Sequence, residues 1–450
     1  MDITNFANQL HKQISNSADL NEILILSKAI DSLNIGKVTI VSTFSDISSL
    51  SLIDGDLIFV DDETRLYFYA IVQGKVFIEP IFTFFESGIY SWGENSSGQL
   101  GINDHGSFSS RSSPVSIVGD FTDWISASAG SIHSLGVRAN GTLWAWGSNT
   151  SGRLGDNTLT NRSSPVLVVG GFTDWISASA GTHSLGVRAN GTLWAWGVNS
   201  SGQLGDDSTT SRFSPASVVG GFTDWIQASA GSGHNLGLRA NGTIWTWGSN
   251  SNGRLGDDTT INRSSPVSVV GGFTDWIQAS AGSSHSLGLR ANGSLWAWGW
   301  NYIGRLGDNT LTSRSSPVSV VGGFTDWVQA SAGWSHSLGV RANGTLWAWG
   351  SNYGKLGDNT ITSRRSPVSV VGGFTDWISA SAGLSHSLGL RANGSLWSWG
   401  TNNNGQLGTN NITNRSSPVS VVGGFTNWVQ ASAGDDNSFG VTIVKYTAVS

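Results

Sequence analysis

The chain repeats itself along most of its length. A segment that reads TDW followed by Ile or Val has its Asp at positions 123, 174, 224, 275, 326 and 376, and a related NWV starts at Asn427. A second segment, W-x-W-G, begins at residues 144, 194, 245, 296, 347 and 397, with a related YSWG at 90. After a longer first interval, the copies lie 50 or 51 residues apart. A fixed period of this length predicts an array in which each repeat is one supersecondary unit.

Each repeat predicts four short strands, which we call A to D. In the copy that starts at Asp326, strand A is WVQASAG, strand B is HSLGVRA, strand C is LWAWG and strand D is SPVSVVG. Asn343 and Gly344 separate strands B and C, and Asn-Gly is typical of two-residue hairpin turns because both turn residues need a positive φ. Four antiparallel strands in about 40–50 residues are typical of a propeller blade. The 60 Gly residues fit many tight turns.

The phase of the repeat predicts a closed ring. YSWG has no strands A and B before it, and the last copy, NWVQASAGDDNSFGVTIV, has no strand C after it. Pairing of these two ends would complete one blade and leave no half-blade exposed. We therefore predict an all-β fold, a seven-bladed β-propeller of four-stranded blades over residues 87–450. It is closed by pairing of N- and C-terminal strands and preceded by a small α+β module over residues 1–86.

The repeat also resembles a known family. The pattern W-x-WG-x-N-x-x-G-x-LG, followed by P-x-x-V and A-G-x-x-H-[ST]-x-x-[LV], resembles the regulator of chromosome condensation repeat over about residues 88–444. The resemblance implies a seven-bladed propeller, but members of the family have divergent functions, so it does not imply one activity. We find no β-wedge and no basic tail of the kind that the nucleotide-exchange members use. The plant photoreceptor motif G-W-R-H-T has one near match, Gly333–Ser337, which lacks the Arg.

Residues 1–86 have a different pattern. ADLNEILILSKAIDSL has helical periodicity, whereas VTIVST, GDLIFVDD and RLYFYAIVQGKVFIEPI favour strands, the last as a hairpin that turns at Gln73 and Gly74. The stretch SLSLIDGDLIFVDDETRLYFYAIVQGKVFIEPI resembles a short module of bacteriophage and marine viral structural proteins. That resemblance implies that residues 1–86 attach the chain to other virion proteins. The alternative is a small α+β cap on the propeller.

Charge and composition limit the partners. Residues 1–86 hold 5 basic and 12 acidic side chains, and residues 87–450 hold 19 and 18. Neither part has the basic excess that nucleic-acid binding needs, so we expect no nucleic-acid partner. The absence of Cys excludes disulfides and thiolate metal sites. We see no signal peptide and no apolar run long enough to span a membrane, and we expect synthesis in a cytoplasm.

No residue pattern predicts catalysis, a cofactor or a metal. A His recurs once per repeat at positions 133, 183, 234, 285, 336 and 386, but equivalent positions on adjacent blades lie too far apart to share one ion. We expect a structural imidazole bonded to neighbouring backbone. Asp326 and Arg341 illustrate a predicted Asp–Arg pair in each repeat. LGDNT loops have too few carboxylates for calcium, and no catalytic triad stands out, so we predict that the chain is not an enzyme.

Variation among the repeats predicts a binding face. The A–B and C–D connections of an antiparallel blade emerge at one end, and the B–C and D–A connections at the other. The first set varies between repeats and the second hardly changes, so we call the two ends the variable face and the constant face. Apolar and acidic residues replace the usual Ser, Thr and Asn on the variable face, and they form the predicted binding face: Trp300, Tyr302, Ile303, Trp334, Tyr353, Leu384, Glu94, Asp435 and Asp436.

These observations favour a non-enzymatic binding or structural protein. The preferred hypothesis is a virion or tail-associated protein, located in the virion after cytoplasmic synthesis, whose propeller recognises a host surface protein or glycan. The alternative is a cytoplasmic interaction scaffold or regulator of the same repeat family. Exposed aromatic side chains suit either a protein or a glycan ligand. A homo-oligomer is compatible with both hypotheses.

Overall fold

The structure is a computed structural model of the chain. It describes the backbone of residues 38–41, 57–62, 65–72, 75–78 and 82–448 except 107 and 120, and the side chains of 87–443 with the same two exceptions. The chain divides into two compact units. One comprises Ser87–Ile443, and the other comprises Met1–Glu86 with Val444–Ser450.

The unit Ser87–Ile443 is a β-propeller of seven four-stranded sheets. In blades 1 to 6 the strands pair in the order A-B-C-D, antiparallel throughout. The strands of blades 1 to 3 are Trp124–Ala129, His133–Arg138, Leu143–Gly147 and Arg162–Leu167; Trp175–Ala180, His183–Arg188, Leu193–Gly197 and Arg212–Ser217; and Trp225–Ala230, His234–Arg239, Ile244–Gly248 and Arg263–Ser268. Those of blades 4 to 6 are Trp276–Ala281, His285–Arg290, Leu295–Gly299 and Arg314–Ser319; Trp327–Ala332, His336–Arg341, Leu346–Gly350 and Arg364–Ser369; and Trp377–Ala382, His386–Arg391, Leu396–Gly400 and Arg415–Ser420. Short 3-10 helices at Thr150–Gly152 and Ser251–Gly253 lie in the C–D loops of blades 1 and 3.

Blade 7 confirms the predicted closure. Its strands A and B come from the end of the chain, at Trp428–Ala433 and Asn437–Ala448, and its strands C and D come from Phe82–Gly93 and Arg111–Ser116. The indole of Trp92 also donates a hydrogen bond to the backbone oxygen of Gln406, which joins blades 7 and 6. Both ends of the repeat array are therefore held in one sheet, and the ring has no open blade.

Tryptophans form the core between blades. The second Trp of each W-x-W motif, such as Trp349, is fully buried, and in every blade but that of Trp298 its indole donates to a backbone oxygen of the preceding blade, here Arg305 at 2.9 Å. The first aromatic residue is only half-buried: Trp347 packs at the edge of the cluster and donates to the Thr345 hydroxyl at 3.1 Å. Both aromatics of the motif thus belong to the interface between blades, but only one of them lies in its interior.

Small residues let the innermost strands surround the axis. Strand A of each blade contributes Ser and Ala side chains, and Ser331 Oγ accepts a hydrogen bond from the backbone N–H of Ala382 in the next blade at 3.0 Å. A similar need for space fixes Gly339 in strand B, where an added Cβ would lie 2.6 Å from the ring of Trp327. The abundance of Trp and the abundance of Gly are therefore linked, because the large indole rings occupy the space that is left where Gly has no side chain.

The N-terminal unit contributes one further sheet to the described backbone. Its strands, Val38–Val41, Leu57–Asp62, Arg65–Val72 and Lys75–Ile78, pair in that order, the first pair parallel and the others antiparallel. They coincide with the strand-like runs of the sequence, and Val72 pairs with Lys75 on either side of the predicted turn. The predicted helix over residues 18–33 lies outside the described residues. No helix in the described ranges has the length and hydrophobicity to cross a membrane.

Candidate functional site

The variable face surrounds the opening of a central channel. Backbone hydrogen bonds join the C–D loops of this face to its A–B turns. For example, the N–H of Trp300, in a C–D loop, donates to the backbone oxygen of Ser284, in an A–B turn, at 2.8 Å. The channel has a volume of about 170 Å³ and is lined by the ends of strand A and by the residue after each Ala-Gly pair. These residues are Ser131, Thr182, Ser232, Ser283, Trp334, Leu384 and Asp435.

Arg305 connects three predicted binding residues across two blades. It belongs to the C–D loop of blade 4, and its Nη1 donates to the backbone oxygen of Trp334 in the A–B turn of blade 5 at 3.1 Å. Its guanidinium carbon lies 4.3 Å from the ring centroid of Trp300, which stacks on Tyr302 at 6.1 Å with an interplanar angle of 16°. Tyr302 is 67% exposed and Trp334 43%, whereas Trp300 and Ile303 are half-buried.

Lys355 makes the equivalent connection one blade further on. Its Nζ donates to Ser335 Oγ at 2.6 Å and to the backbone oxygen of Leu384, in the turn of blade 6, at 3.2 Å. Tyr353 precedes it in the same loop with a φ of +50° and is 77% exposed. The aromatic side chains predicted from the sequence therefore lie on consecutive blades, and three of them (Tyr302, Trp334 and Tyr353) are open to solvent.

The acidic residues of the predicted face lie together on blade 7. Asp435 lines the channel, and burial, with smaller contributions from Asp436 and Glu94, raises its pKa to about 6. Asp436 accepts hydrogen bonds from the Ser385 hydroxyl at 2.9 Å and from the Gln406 amide at 3.0 Å. This cluster is next to Leu384, because the N–H of Leu384 donates to the backbone oxygen of Gly434 at 3.1 Å.

The residue before each Leu-Gly pair of the C–D loops was missed by the sequence analysis. It is Gln99, Gln203 or Gln406 in three blades and a cation in the others: Arg153, Arg254, Arg305 and Lys355. Within the described side chains none of these cations forms an ion pair. Burial, with a smaller contribution from Arg305, lowers the pKa of Lys355 to about 8, and burial together with Arg254 lowers that of Arg305 to about 10. The only available signal was that Arg or Lys stands at this position in four repeats and Gln in three, a mixture that is also usual at exposed polar positions.

The repeated His residues join neighbouring blades. Each imidazole Nε2 contacts a side chain of the next blade at 2.6–2.9 Å, which corrects the predicted backbone partner: His133–Ser184, His183–Asn235, His234–Ser286, His285–Ser337, His336–Ser387 and His386–Ser438. Ser387 donates its own proton to the backbone oxygen of Lys355, so His336 is the donor through Nε2 and its Nδ1 carries no proton. Burial lowers the pKa of every one of them, that of His183 to about 4 and that of His386 to about 3.

The predicted Asp–Arg pairs lie on the constant face. Arg341 Nε donates to Asp326 at 2.8 Å, and the same pair recurs in the other blades from 1 to 6. The guanidinium of Arg341 also lies over the ring of Phe324, 4.0 Å from its centroid. These contacts explain why TDW and RANG hardly vary: each Arg is held by a carboxylate and by an aromatic ring from the adjacent D–A connection.

The LGDNT loops are held by internal contacts. Asp308 accepts a hydrogen bond from the Asn301 amide at 2.8 Å and pairs with Arg314 at 3.2 Å. Its oxygens also accept from the Thr310 hydroxyl at 2.8 Å. No group of three or more His, Asp or Glu side chains in the described part of the chain is arranged to hold a metal ion.

These features define a closed, seven-bladed propeller of Trp-rich repeats with one constant and one variable face. The sequence profile of the RCC1-like domain family matches residues 88–440. The chain therefore belongs to the RCC1-like family, as the repeat motif predicted.

Curated relatives share parts of the propeller. The ultraviolet-B receptor UVR8 of Arabidopsis thaliana is 28% identical over 269 residues, which cover 59% of this chain and 49% of the receptor. The human E3 ubiquitin-protein ligase HERC2 is 32% identical over 127 residues, 26% of this chain and 3% of the ligase. The chain thus spans about half of the first relative and a small part of the second.

Solved structures share the fold. Prp20p of Saccharomyces cerevisiae has a TM-score of 0.72 at 22% identity, with 80% of this chain and 92% of that chain covered. Human WBSCR16 has a TM-score of 0.71 at 22% identity, with 79% and 98% covered. At this identity the similarity shows the propeller fold and no more.

Proposed function

We propose that the chain is a non-enzymatic scaffold that binds another protein through the variable face of its propeller. The observation that carries the proposal is the exposure of Tyr302, Trp334 and Tyr353 on adjacent blades. Most repeats have Ser, Thr or Asn at the positions of these three side chains, and the other exposed aromatic residues of the described chain, Phe108 and Phe213, lie on blades 7 and 2. Trp, Tyr and Arg are the residues that most often supply the binding energy of protein interfaces.

Relatives support the protein-binding part of the proposal. The work on the structural relative Prp20p concerns its binding to Gsp1p and histones, and a further structure has Kap60 bound to yeast RCC1. These partners belong to the yeast protein. They show that a propeller of this family can bind other proteins. This precedent favours the scaffold or regulator hypothesis over the virion hypothesis.

A capture experiment tests the proposal. The tagged full-length chain is used as bait in an extract of the cells that express it, beside a variant with Trp334→Ser and Tyr353→Asn. Ser follows Ala-Gly in other repeats, and Asn252 has the positive φ that Tyr353 has, so both changes suit the fold. Ala342→Lys, on the exposed B–C turn of blade 5, is the control on the constant face.

The proposal expects a protein that is retained by the wild type and the Ala342→Lys control and lost by the double variant by about tenfold or more. A partner retained equally by all three baits would contradict it, and so would a partner lost only by the control. If the same face retained a glycan and no protein, the ligand would be a carbohydrate and the protein-binding proposal would be wrong.

The setting of the scaffold is a separate proposal. Its membership in the repeat family suits a cytoplasmic regulator, and the resemblance of residues 1–86 to viral structural modules suits a virion. Co-sedimentation of the chain with virus particles would support the second setting. Recovery in a soluble cellular complex of defined composition would support the first and rule against particle attachment.

A further inference from the structure

The opening of the channel on the variable face is asymmetric in charge. Of the seven described residues that follow the Ala-Gly pairs there, only Asp435 of blade 7 carries a charge. Trp334 and Leu384, on the two blades before it, are the large apolar side chains of the same ring. The cavity of about 170 Å³ therefore brings one carboxylate next to an apolar sector.

The Asp435 carboxylate has no partner of its own. It forms no ion pair and accepts no hydrogen bond among the described side chains, and its acidic neighbours Asp436 and Glu94 also lack a paired cation there. Burial and these two neighbours raise the pKa of Asp435 to about 6, so the chain holds this charge at a cost to its stability. Asp435 is nevertheless only half-buried, which leaves it accessible from the channel. A positively charged ligand would supply the missing pair.

The repeat has a cation that could neutralise this turn, but blade 6 does not use it. The C–D loops of blades 3, 4 and 5 extend Arg254, Arg305 and Lys355 to the A–B turn of the next blade, where each donates to a backbone oxygen. Gln406 takes this place in blade 6, and its amide donates to Asp436 at 3.0 Å. A neutral residue thus contacts the A–B turn of blade 7, although no other A–B turn of the seven contains Asp or Glu.

A second side chain on the same wall lacks partners. Asn437 replaces the His of blades 1 to 6, is fully buried, and has neither amide atom hydrogen-bonded to a described residue. Its Oδ1 and the backbone oxygen of Gly130 occupy the space where a Cβ on Gly434 would stand, and both glycines line the channel. The amide oxygen of Asn437 is therefore a free acceptor behind the same stretch of wall as Asp435.

We propose that the channel opening at Asp435 receives a lysine side chain of the protein partner, with its ammonium group paired to the carboxylate and its aliphatic stem against Leu384. This inference rests on the proposed function and names the group that the site recognises. An ammonium group has three donors and no acceptor, so it can pair with the carboxylate and still donate to a second oxygen. The stem of Lys is apolar and suits the apolar side of the opening. A metal ion fits less well, because the described residues contain no group of three His, Asp or Glu side chains arranged to hold one.

The repeats provide a substitution that removes the charge. Asp435→Ser copies Ser131 and the equivalent residues of two other blades. Asp207→Asn, which copies Asn309, is the matched control: it also removes one carboxylate from the variable face, but from an exposed position in the blade 2 loop. Urea unfolding followed by Trp fluorescence establishes that both variants are folded.

A second substitution supplies an internal cation in place of the ligand. Gln406→Lys copies Lys355 and places an ammonium group at the acidic turn of blade 7. Gln203→Lys is its control, because Gln203 has the same repeat position in blade 2 and the next turn, at Ser232 of blade 3, contains no carboxylate. The two variants have the same net charge, so a difference between them reports the location of the cation.

The full chain is titrated into fluorescein-labelled hexalysine and hexaglutamine, and binding is followed by fluorescence anisotropy. Salt at about 0.15 M screens the attraction between exposed charges. The proposal expects hexalysine to bind more tightly than hexaglutamine. Asp435→Ser and Gln406→Lys are each expected to weaken hexalysine binding by about tenfold or more, whereas Asp207→Asn and Gln203→Lys change it by about twofold or less.

Three results would overturn the lysine assignment. The first is equal binding of the two peptides, and the second is equal weakening by Asp435→Ser and Asp207→Asn, which would show only a general attraction between charges. The third is an unlabelled polyamine, spermidine, that binds more tightly than hexalysine and depends on Asp435 in the same way. That result would assign the site to a small free amine.

The capture experiment distinguishes this failure from that of the proposed function. A partner that is lost with Trp334→Ser and Tyr353→Asn and also with Asp435→Ser would support both proposals. A partner that is lost with the first variant but kept by Asp435→Ser would preserve the scaffold and refute the lysine.

Discussion

Acid should unfold the propeller through its inter-blade imidazoles. His336 and its equivalents on blades 1 to 6 are buried, donate through Nε2 and have pKa values lowered below that of an exposed imidazole. The unfolded chain, with imidazole pKa values near 6.5, binds protons below that pH that the folded chain does not bind. The free energy of unfolding is therefore fully available above about pH 7 and decreases as the pH falls below 6.5.

The size of the effect follows from the number of imidazoles. With folded pKa values of about 3 to 4 for His386 and His183, each residue loses about 2 kcal/mol of stability between pH 7.5 and 5.0. Asp435 acts in the opposite direction, since its raised pKa lets the folded chain bind a proton in this interval, and it offsets about 1 kcal/mol. His386 and His183 together therefore lose about 4 kcal/mol, and the other four imidazoles act in the same direction, so the net loss is a substantial part of the roughly 5–15 kcal/mol that is typical of a folded protein.

Urea unfolding followed by Trp fluorescence at pH 7.5, 6.5, 5.5 and 5.0 measures this loss. His336→Asn, which copies Asn437 of blade 7, should reduce the dependence on pH, because it removes one of the six buried imidazoles. His105→Gln, at an exposed position in the blade 7 loop, should leave it unchanged. A free energy of unfolding that stays constant between pH 7.5 and 5.0 would refute the account of these imidazoles, as would the same pH dependence in His336→Asn and the wild type.

Further changes test the core and the acidic cluster. Asp435→Asn should raise the free energy of unfolding at pH 7.5 by about 1–3 kcal/mol, because it removes a disfavoured buried charge; the gain should shrink as the pH falls toward 4, and a pH-independent gain would contradict the cause. Trp349→Ala should lower the free energy of unfolding by about 3–5 kcal/mol and Trp347→Ala by distinctly less, since only the ring of Trp349 is fully buried. Equal losses in urea unfolding would contradict the assigned core. Gly339→Ala should cost about 2 kcal/mol or more through its contact with Trp327, and unchanged stability would show that the ring can move aside.

The repeat made most of the fold predictable. Seven copies of one pattern gave the strands, the hairpin at Asn343, the Asp326–Arg341 pair and the closure of blade 7, because each of these depends on residues within one repeat or on its phase. The partner of His336 was not predictable in this way. Ser387 lies 51 residues away in the next blade, and the sequence of one repeat does not show which side chain of its neighbour it faces.

The candidate site was predictable in part for the same reason. Trp334 and Tyr353 stood out because they differ from their equivalents in other repeats. Arg305 and Lys355 did not, since Gln, Arg and Lys alternate at their position as ordinary polar surface residues do. Their burial and their hydrogen bonds to the turns of the next blade are properties of the packing between blades, and only the structure shows that their charges lack a partner among the described residues.

The central claim is that the variable face holds the protein partner. The most direct measurement places a photo-crosslinking phenylalanine derivative at position 353 or, as the control, at position 342 on the opposite face of the same blade, and irradiates the full chain in the cells that express it. The account predicts one discrete protein adduct from position 353 and none from position 342. Adducts from position 342 alone, or equal adducts from both positions, would contradict it.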